Sequence, residues 1–171
     1  GEYLILDGAL SLASPCKFGQ SLKLTPNSSN IVKWYSQDHD NNVWFDATFT
    51  TNNFDLIRTS DLKSFEWLKL LLNNATNISN KIVLKGAEIR TKLEFDKNWG
   101  LGSSSTLINI VAQLFNIDPF ELHFSCSNGS GYDIACASAN QPITYQIVNQ
   151  KPEFDCIKWD PQFSDDLFFI H

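Results

Sequence analysis

The spacing of apolar and polar residues along the chain predicts a mixture of strands and helices. Residues 18–24 alternate between the two kinds of side chain, as a half-buried strand does. Residues 62–74 carry apolar side chains at helical spacing after Ser60 and Asp61, which can cap a helix. The other predicted strands span residues 3–6, 31–36, 43–49, 82–95, 143–148 and 167–170. Of these, 31–36 and 43–49 are predicted to form a hairpin. The other predicted helices span 103–115 and 134–139, and a short one begins at Pro119.

Two loops that contain glycine and serine come directly before predicted helices. Residues 100–105, Gly-Leu-Gly-Ser-Ser-Ser, run straight into an apolar helical pattern. Glycine lets the backbone approach a ligand closely, and the N–H groups and dipole at a helix start attract anions. Residues 128–133 form the second loop, which ends in Asp133. A phosphate-binding loop together with a placed carboxylate predicts phosphoryl transfer to a hydroxyl or phosphate acceptor.

Each loop by itself is also typical of an ordinary turn before a helix, since Gly, Ser, Asn and Asp are turn residues. The first loop lacks the Gly-Lys-Ser/Thr of a Walker loop and the spacing of a dinucleotide fingerprint. Asp133 has a second interpretation as the cap of the helix that follows it. Trp99, just before the first loop, is open to two interpretations, stacking on a nucleotide base or packing in the core.

The composition is that of a single folded domain. The chain has 171 residues, of which 43% are hydrophobic and 19% charged. Its formal net charge of −6 argues against a nucleic-acid partner, which requires a basic face. A nucleotide ligand remains compatible with that charge, because Mg²⁺ and local N–H groups can neutralise its phosphates. No run of about 18 apolar residues is present, so no membrane partner is expected.

The four cysteines form no C-x-x-C pair and no zinc-like spacing with the histidines. Two disulfides in a secreted domain are one interpretation of this even number. Free buried thiols in a cytoplasmic protein are the interpretation favoured here. We therefore expect a cytoplasmic location.

Three segments resemble, in order, motifs of the GHMP kinases, which include galactokinase, homoserine kinase, mevalonate kinase and phosphomevalonate kinase. Residues 1–9, beginning Gly-Glu-Tyr, look like the first motif of that superfamily. Residues 100–105 resemble its second motif, and residues 129–133, Gly-Ser-Gly-Tyr-Asp, resemble its Ser-Gly-x-Asp segment. The Glu2-Tyr3 pair and residues 129–133 look most similar to the phosphomevalonate kinases, and residues 132–135, Tyr-Asp-Ile-Ala, suggest a mevalonate-type kinase.

The resemblance implies an α+β fold similar to domain 2 of ribosomal protein S5, with a β-sheet packed on helices, and it implies ATP and Mg²⁺ as cofactors. Asp133 matches the aspartate that orients or deprotonates the acceptor, and Ser104 matches the serine that ligates Mg²⁺. The implied phosphate-binding residues are Gly100, Leu101, Gly102, Ser103, Ser104 and Ser105, and the implied acceptor-binding residues are Glu2, Tyr3, Ser130 and Gly131.

The chain also departs from the superfamily pattern. The second magnesium ligand is usually a glutamate, but Leu122 stands at its position and Glu121 lies one residue away. On a helix that shift turns a side chain by about 100°, so Glu121 is a less favourably placed metal ligand. The superfamily lysine would precede Gly1, and the C-terminal glycine-rich motif is missing from this sequence. We therefore expect residues 1–171 to be an N-terminal domain with little turnover alone, forming a homodimer or associating with a C-terminal half.

The function implied is ATP- and Mg²⁺-dependent phosphorylation of mevalonate or phosphomevalonate, in the synthesis of isoprenoid precursors. A kinase for another small acceptor, such as homoserine or a sugar, is an alternative. A non-catalytic relative that binds a nucleotide or metabolite is a second alternative, and a secreted disulfide domain is a third. An RNA-binding role, which an S5-like fold suggests, is disfavoured by the acidic charge.

Overall fold

The computed structural model describes residues 2–80 and 84–168, and for Glu2 and Tyr3 it describes the backbone only. Within these ranges the chain forms eight strands and four α-helices, and none of the helices is long and apolar enough to cross a membrane. The strands are β1 (Ser11–Ala13), β2 (Gln20–Pro26), β3 (Ile31–Gln37), β4 (Val43–Thr50), β5 (Leu56–Thr59), β6 (Ala87–Leu93), β7 (Ile143–Val148) and β8 (Lys151–Cys156). The helices are α1 (Leu62–Ser79), α2 (Ser103–Phe115), α3 (Pro119–Cys126) and α4 (Tyr132–Ser138).

The larger sheet contains five strands in the order β2-β6-β3-β4-β5. β3 and β4 pair as an antiparallel hairpin, whereas β3 and β6 run parallel. Alternate side chains of β3, β4 and β6 are buried, the pattern of a sheet with one covered face. Side chains of α1, α2 and α3 pack on that face, where Trp34, Phe49 and Phe65 are buried in the main core.

The smaller sheet contains three antiparallel strands in the order β1-β7-β8. It forms a second, smaller core with α4, in which Ile5, Ala135 and Tyr145 are fully buried. Phe120 of α3 packs against both cores. The two layers are therefore joined through α3, next to the loop that leads into α4.

The structure confirms the predicted hairpin, the helix beginning at Ser103 and the strand at residues 143–148. It also confirms Asp61 as the cap of α1, since its carboxylate accepts hydrogen bonds from the backbone N–H groups of Lys63 and Ser64. These features depend on residues close together in the chain, which is why local patterns predict them.

Helix α1 extends to Ser79, past the predicted end near residue 74. Its last turns are polar, but Ala75 is fully buried in the main core. The Asn74 side chain also donates a hydrogen bond of 2.9 Å to the backbone carbonyl of Ser125, at the end of α3. Packing against the rest of the protein thus stabilises helical turns that intrinsic propensity alone does not favour.

The prediction of a strand at residues 3–6 is wrong, because Glu2–Asp7 forms a 3₁₀ helix. The turn closes with a hydrogen bond from the Gly8 N–H to the Ile5 carbonyl. Ile5 is fully buried, whereas Leu4 and Leu6 are mostly exposed. An apolar run this short does not distinguish a strand from a helical turn.

The predicted strand at residues 82–95 is shorter in the structure, where β6 covers Ala87–Leu93. Residues 82 and 83 lie outside the described residues, and residues 84–86 are not a strand. The backbone passes so close to its neighbour here that a Cβ at Gly86 would lie 1.8 Å from the carbonyl oxygen of Ser29. The glycine therefore marks a close backbone contact before the strand, rather than a bend within it.

Two edge strands, β5 and β8, were not predicted. Pro152 in β8 argues against a strand, but β8 pairs on one side only, and an edge strand tolerates proline. The predicted last strand at residues 167–170 is absent where the structure describes it, since 167 and 168 are not in a strand and 169 and 170 lie outside the described residues.

All four cysteines are free thiols, as expected. The expectation that they are buried is wrong for two of them, because Cys16 and Cys156 are exposed, while Cys126 and Cys136 are partly buried. Both exposed thiols lie in or beside the smaller sheet, which has little core to cover them.

Candidate functional site

The loop at residues 100–105 turns through two glycines in the left-handed region. Gly100 has a φ of +74° and Gly102 a φ of +71°, which L side chains rarely adopt. α2 begins directly afterwards at Ser103, and no side chain caps its N-terminus. The N–H groups of a first helical turn have no partner within the helix. The chain thus presents a positively polarised helix end at this loop.

A cavity of about 420 Å³ opens on one side of the loop. Three tryptophans, Trp34, Trp44 and Trp67, form part of its wall, and Ser103 and Ser104 of α2 contribute the edge nearest the loop. Trp34 is fully buried in the main core, where its indole N–H donates to the hydroxyl of Ser36. This cavity has the flat aromatic lining that suits a planar ring.

A second cavity, of about 500 Å³, opens on the other side of the loop. Its wall includes the loop residues Gly100, Leu101 and Gly102, the carboxylates of Glu94 and Asp133, and the ammonium-bearing Lys17. This cavity is polar and charged, so the start of α2 separates two sites of different chemistry.

Asp133 lies against the first loop, although thirty residues of chain separate the two. A Cβ placed on Gly102 would be 3.8 Å from Cβ and 3.9 Å from Cγ of Asp133. The pKa of the Cys136 thiol is raised to about 11, mainly by burial and further by the Asp133 and Cys16 charges. Gly131 occupies the N-cap of α4 and Asp133 is the second helical residue, so the capping interpretation of Asp133 is wrong.

Tyr145 holds the turn that precedes Asp133 and α4. The buried Tyr145 hydroxyl donates a hydrogen bond to the Ser130 carbonyl, and burial raises the pKa of this tyrosine to about 12, so it stays a donor. Gly131 has a φ of +78°, and a Cβ there would lie 3.2 Å from both the Tyr145 oxygen and the Phe120 ring. Ser130 and Gly131, predicted to bind the acceptor, are on neither cavity wall and instead shape this turn.

Asn109, which was not predicted as a site residue, joins α2 to α4. Its amide nitrogen donates to the carbonyls of Ser105 and Ile134, at 3.0 and 3.3 Å, and its oxygen accepts from the Ser138 hydroxyl at 2.6 Å. A buried asparagine within the apolar run of α2 is the signal that could have identified it. These bonds hold the helix after the first loop against the helix that carries Asp133.

The candidate metal ligands are not brought together. Ser104 is exposed at the edge of the first cavity, whereas Glu121 is exposed on α3 and lies on neither cavity wall. Among the described residues no group of three or more Asp, Glu, His or Cys side chains could hold a metal ion.

Two further candidates stand apart from the cavities. Glu2 and Tyr3 begin the first 3₁₀ helix, but their side chains lie outside the described part of the chain, so their acceptor role stays a prediction. Trp99 is partly buried, with its ring 6.3 Å from that of Phe18 and 6.4 Å from that of His39, and it lines neither cavity.

The fold is similar to that of L. major mevalonate kinase, solved in complex with R-mevalonate. The TM-score is 0.56 and the sequence identity 14%, over 94% of this chain and 49% of that one. The chain therefore spans about half the length of that kinase. No family model and no curated protein matches the sequence. The likeness is one of fold.

Proposed function

We propose that residues 1–171 are the N-terminal domain, related to domain 2 of ribosomal protein S5, of an ATP- and Mg²⁺-dependent small-molecule kinase. The observation that carries the proposal is the contact between Gly102 and Asp133. It joins a loop suited to phosphate and a carboxylate suited to an acceptor hydroxyl at one cavity. Phosphoryl transfer requires this juxtaposition, because its catalysis is mostly positioning and charge stabilisation.

In this proposal the nucleotide lies across the start of α2. The base occupies the tryptophan-lined cavity, where stacking on indole rings would stabilise it. The phosphates cross the loop of Gly100, Leu101, Gly102, Ser103, Ser104 and Ser105 toward the second cavity. This path is supported by the two cavities, which share that loop as a common border.

A single protein oxygen could be enough to hold Mg²⁺ on a bound nucleotide. Mg²⁺ keeps several waters and is usually bound by one or two protein oxygens together with substrate phosphates, so a complete protein cage is not required. Ser104 would supply a hydroxyl, and Glu121 would need a rearrangement to contribute. When bound, Mg²⁺ would neutralise charge on the phosphates.

Asp133 is the proposed general base. The acceptor oxygen, from a hydroxyl or from a phosphate group, attacks the γ-phosphorus of ATP, the bond from that phosphorus to the bridging oxygen breaks, and ADP leaves with the electron pair. Where the acceptor is a hydroxyl, the Asp133 carboxylate receives its proton. Asn109 and Tyr145 keep the helix and turn around Asp133 in place, because both are buried and hydrogen-bonded to this region.

Mevalonate or phosphomevalonate is the proposed acceptor, and a cytoplasmic enzyme that makes isoprenoid precursors is the proposed setting. The support is the fold likeness to a mevalonate kinase together with the motif resemblance. Its partners would be small molecules, with a C-terminal half or a second copy completing the enzyme. The test is a phosphoryl-transfer assay of the completed enzyme, with that C-terminal half or second copy present, against mevalonate, phosphomevalonate, homoserine and galactose. Transfer to none of them would contradict the catalytic proposal.

A non-catalytic nucleotide-binding protein is the second candidate. It is favoured by the position of Glu121, on an exposed face away from both cavities. This candidate predicts that MgATP binds, that no acceptor is phosphorylated, and that Asp133→Asn changes nothing measurable. Calorimetric binding of MgATP alongside the transfer assay separates the two candidates.

A further inference from the structure

The charges on the wall of the second cavity are unbalanced. Among the described residues that form this wall, Lys17 is the one Lys or Arg, and the carboxylates of Glu94 and Asp133 oppose it. Counted by side-chain type, the described residues of the wall therefore carry one more negative than positive formal charge. A polyphosphate entering it meets repulsion, which backbone N–H dipoles with their partial charges offset only in part.

Lys17 lies on the connection between β1 and β2, and this connection is fastened to the site at two points. The Gly19 N–H donates to the Glu94 carboxylate at 2.8 Å, and the Glu94 N–H donates back to the Gly19 carbonyl at 2.9 Å. One residue further on, Gln20 accepts a hydrogen bond of 2.7 Å from the Thr106 hydroxyl, in the first turn of α2. The backbone that carries Lys17 is thus tied to the helix that begins at the phosphate loop.

The ammonium group of Lys17 is available to a ligand. Its Nζ lies 5.4 Å from the centre of the Phe18 ring and makes no ion pair with any carboxylate that the structure describes. The side chain is exposed at the cavity. A lysine ammonium is a compact charge on a flexible stem, which suits a phosphate oxygen whose exact position is set by other groups.

We propose that Lys17 binds the terminal phosphates of the nucleotide and supplies the positive charge that the glycine-serine loop lacks. This inference rests on the proposed function, since it assumes that the phosphates cross the loop into the second cavity. Lys17 would then hold the γ-phosphoryl group against Asp133, across the same cavity.

The test compares Lys17→Gln with Lys17→Arg, and uses Lys23→Gln as the matched control. Lys23 is exposed on β2, six residues along the same stretch, and lines neither cavity. Isothermal titration calorimetry measures the dissociation constants of MgATP and of AMP for each variant. We expect Lys17→Gln to weaken MgATP binding about tenfold, the usual effect of losing one charge-assisted hydrogen bond.

AMP lacks the β- and γ-phosphates, so its affinity should be the same in all four proteins, which also shows that Lys17→Gln is folded. Lys17→Arg should keep most of the MgATP affinity, and Lys23→Gln all of it. Equal MgATP binding by Lys17→Gln and the unchanged protein would overturn the Lys17 assignment alone. If steady-state kinetics showed that Lys17→Gln changes only the KM of the acceptor, that result would also overturn the Lys17 assignment. No MgATP binding by the unchanged protein would instead overturn the proposed function, and this inference with it.

Discussion

The two cavities beside the start of α2 differ in both lining and support. The first is lined by indole rings held on the larger sheet and on α1, with Trp34 fully buried in the main core. The charged side chains of the second cavity include Lys17, on the connection between β1 and β2, and Asp133, in the first turn of α4. A stacked ring tolerates small shifts, whereas proton and phosphoryl transfer depend on positions held to a fraction of an ångström.

Side-chain hydrogen bonds brace both cavities, but they join different parts of the protein. The second cavity is braced by Asn109, which joins α2 to α4, and by Tyr145, which holds the turn before Asp133. The pair Gln20 and Thr106 ties the β1–β2 connection to α2. At the first cavity, the Ser36 hydroxyl accepts hydrogen bonds from the Trp34 indole N–H and the Thr91 hydroxyl, within the larger sheet, and apolar packing does the rest.

The largest expected effect is on catalysis at the second cavity. Asp133→Asn should lower turnover by about 10²-fold or more, because it removes the proposed base while keeping the shape of the side chain. The MgATP dissociation constant should change by no more than a few-fold. Steady-state kinetics with calorimetry on the same protein checks both values. Near-normal turnover would show that Asp133 is not the general base, or would favour the non-catalytic candidate.

At the first cavity, Trp44→Ala should weaken AMP binding about tenfold, as expected for the loss of one base-stacking surface. Trp44 is partly exposed, so its removal disturbs the core less than removal of Trp34. The matched control is Trp99→Ala, since Trp99 contacts Phe18 and His39 and lines neither cavity. If both substitutions weaken AMP binding equally, the base does not occupy the tryptophan-lined cavity.

Ser104→Ala tests whether the hydroxyl of Ser104, at the start of α2 between the two cavities, is a ligand of Mg²⁺. We expect a several-fold increase in the Mg²⁺ concentration that gives half-maximal activity, with little loss of stability, because alanine is the better helix former. Ser21→Ala is the control, since Ser21 is exposed on β2 and lies on neither cavity wall. Magnesium titrations of activity and thermal unfolding give the two quantities. An unchanged magnesium dependence would leave Ser104 as an ordinary residue of the first helical turn.

The smallest effects concern the glycines of the two loops. Gly100→Ala should cost roughly 1 kcal/mol of unfolding free energy, because φ is positive but nothing lies within 4 Å of the added methyl group. Gly131→Ala should cost about 1 kcal/mol more, since its methyl group would also press on Phe120 and Tyr145. Urea unfolding measures both. Equal losses of unfolding free energy in the two variants would show that the turn before Asp133 can shift to accommodate the added methyl group.

Much of the fold could be predicted from residues that are neighbours in the chain. The hairpin of β3 and β4, the cap at Asp61 and the start of α2 after Gly102 were all predicted correctly. The errors came where other parts of the molecule decide the outcome. The short apolar run around Ile5 forms a 3₁₀ helix, and Pro152 is accommodated at the outer edge of a sheet.

The sequence by itself determined the local chemistry of this protein: two glycine-containing loops, each entering a helix, and an aspartate at the end of the second. The tertiary structure alone decided that Asp133 lies against Gly102, that Lys17 shares their cavity, and that three tryptophans line the opposite one. The physical reason is that turn and helix preferences act between adjacent residues, whereas a cavity is built by packing residues that are distant in the chain.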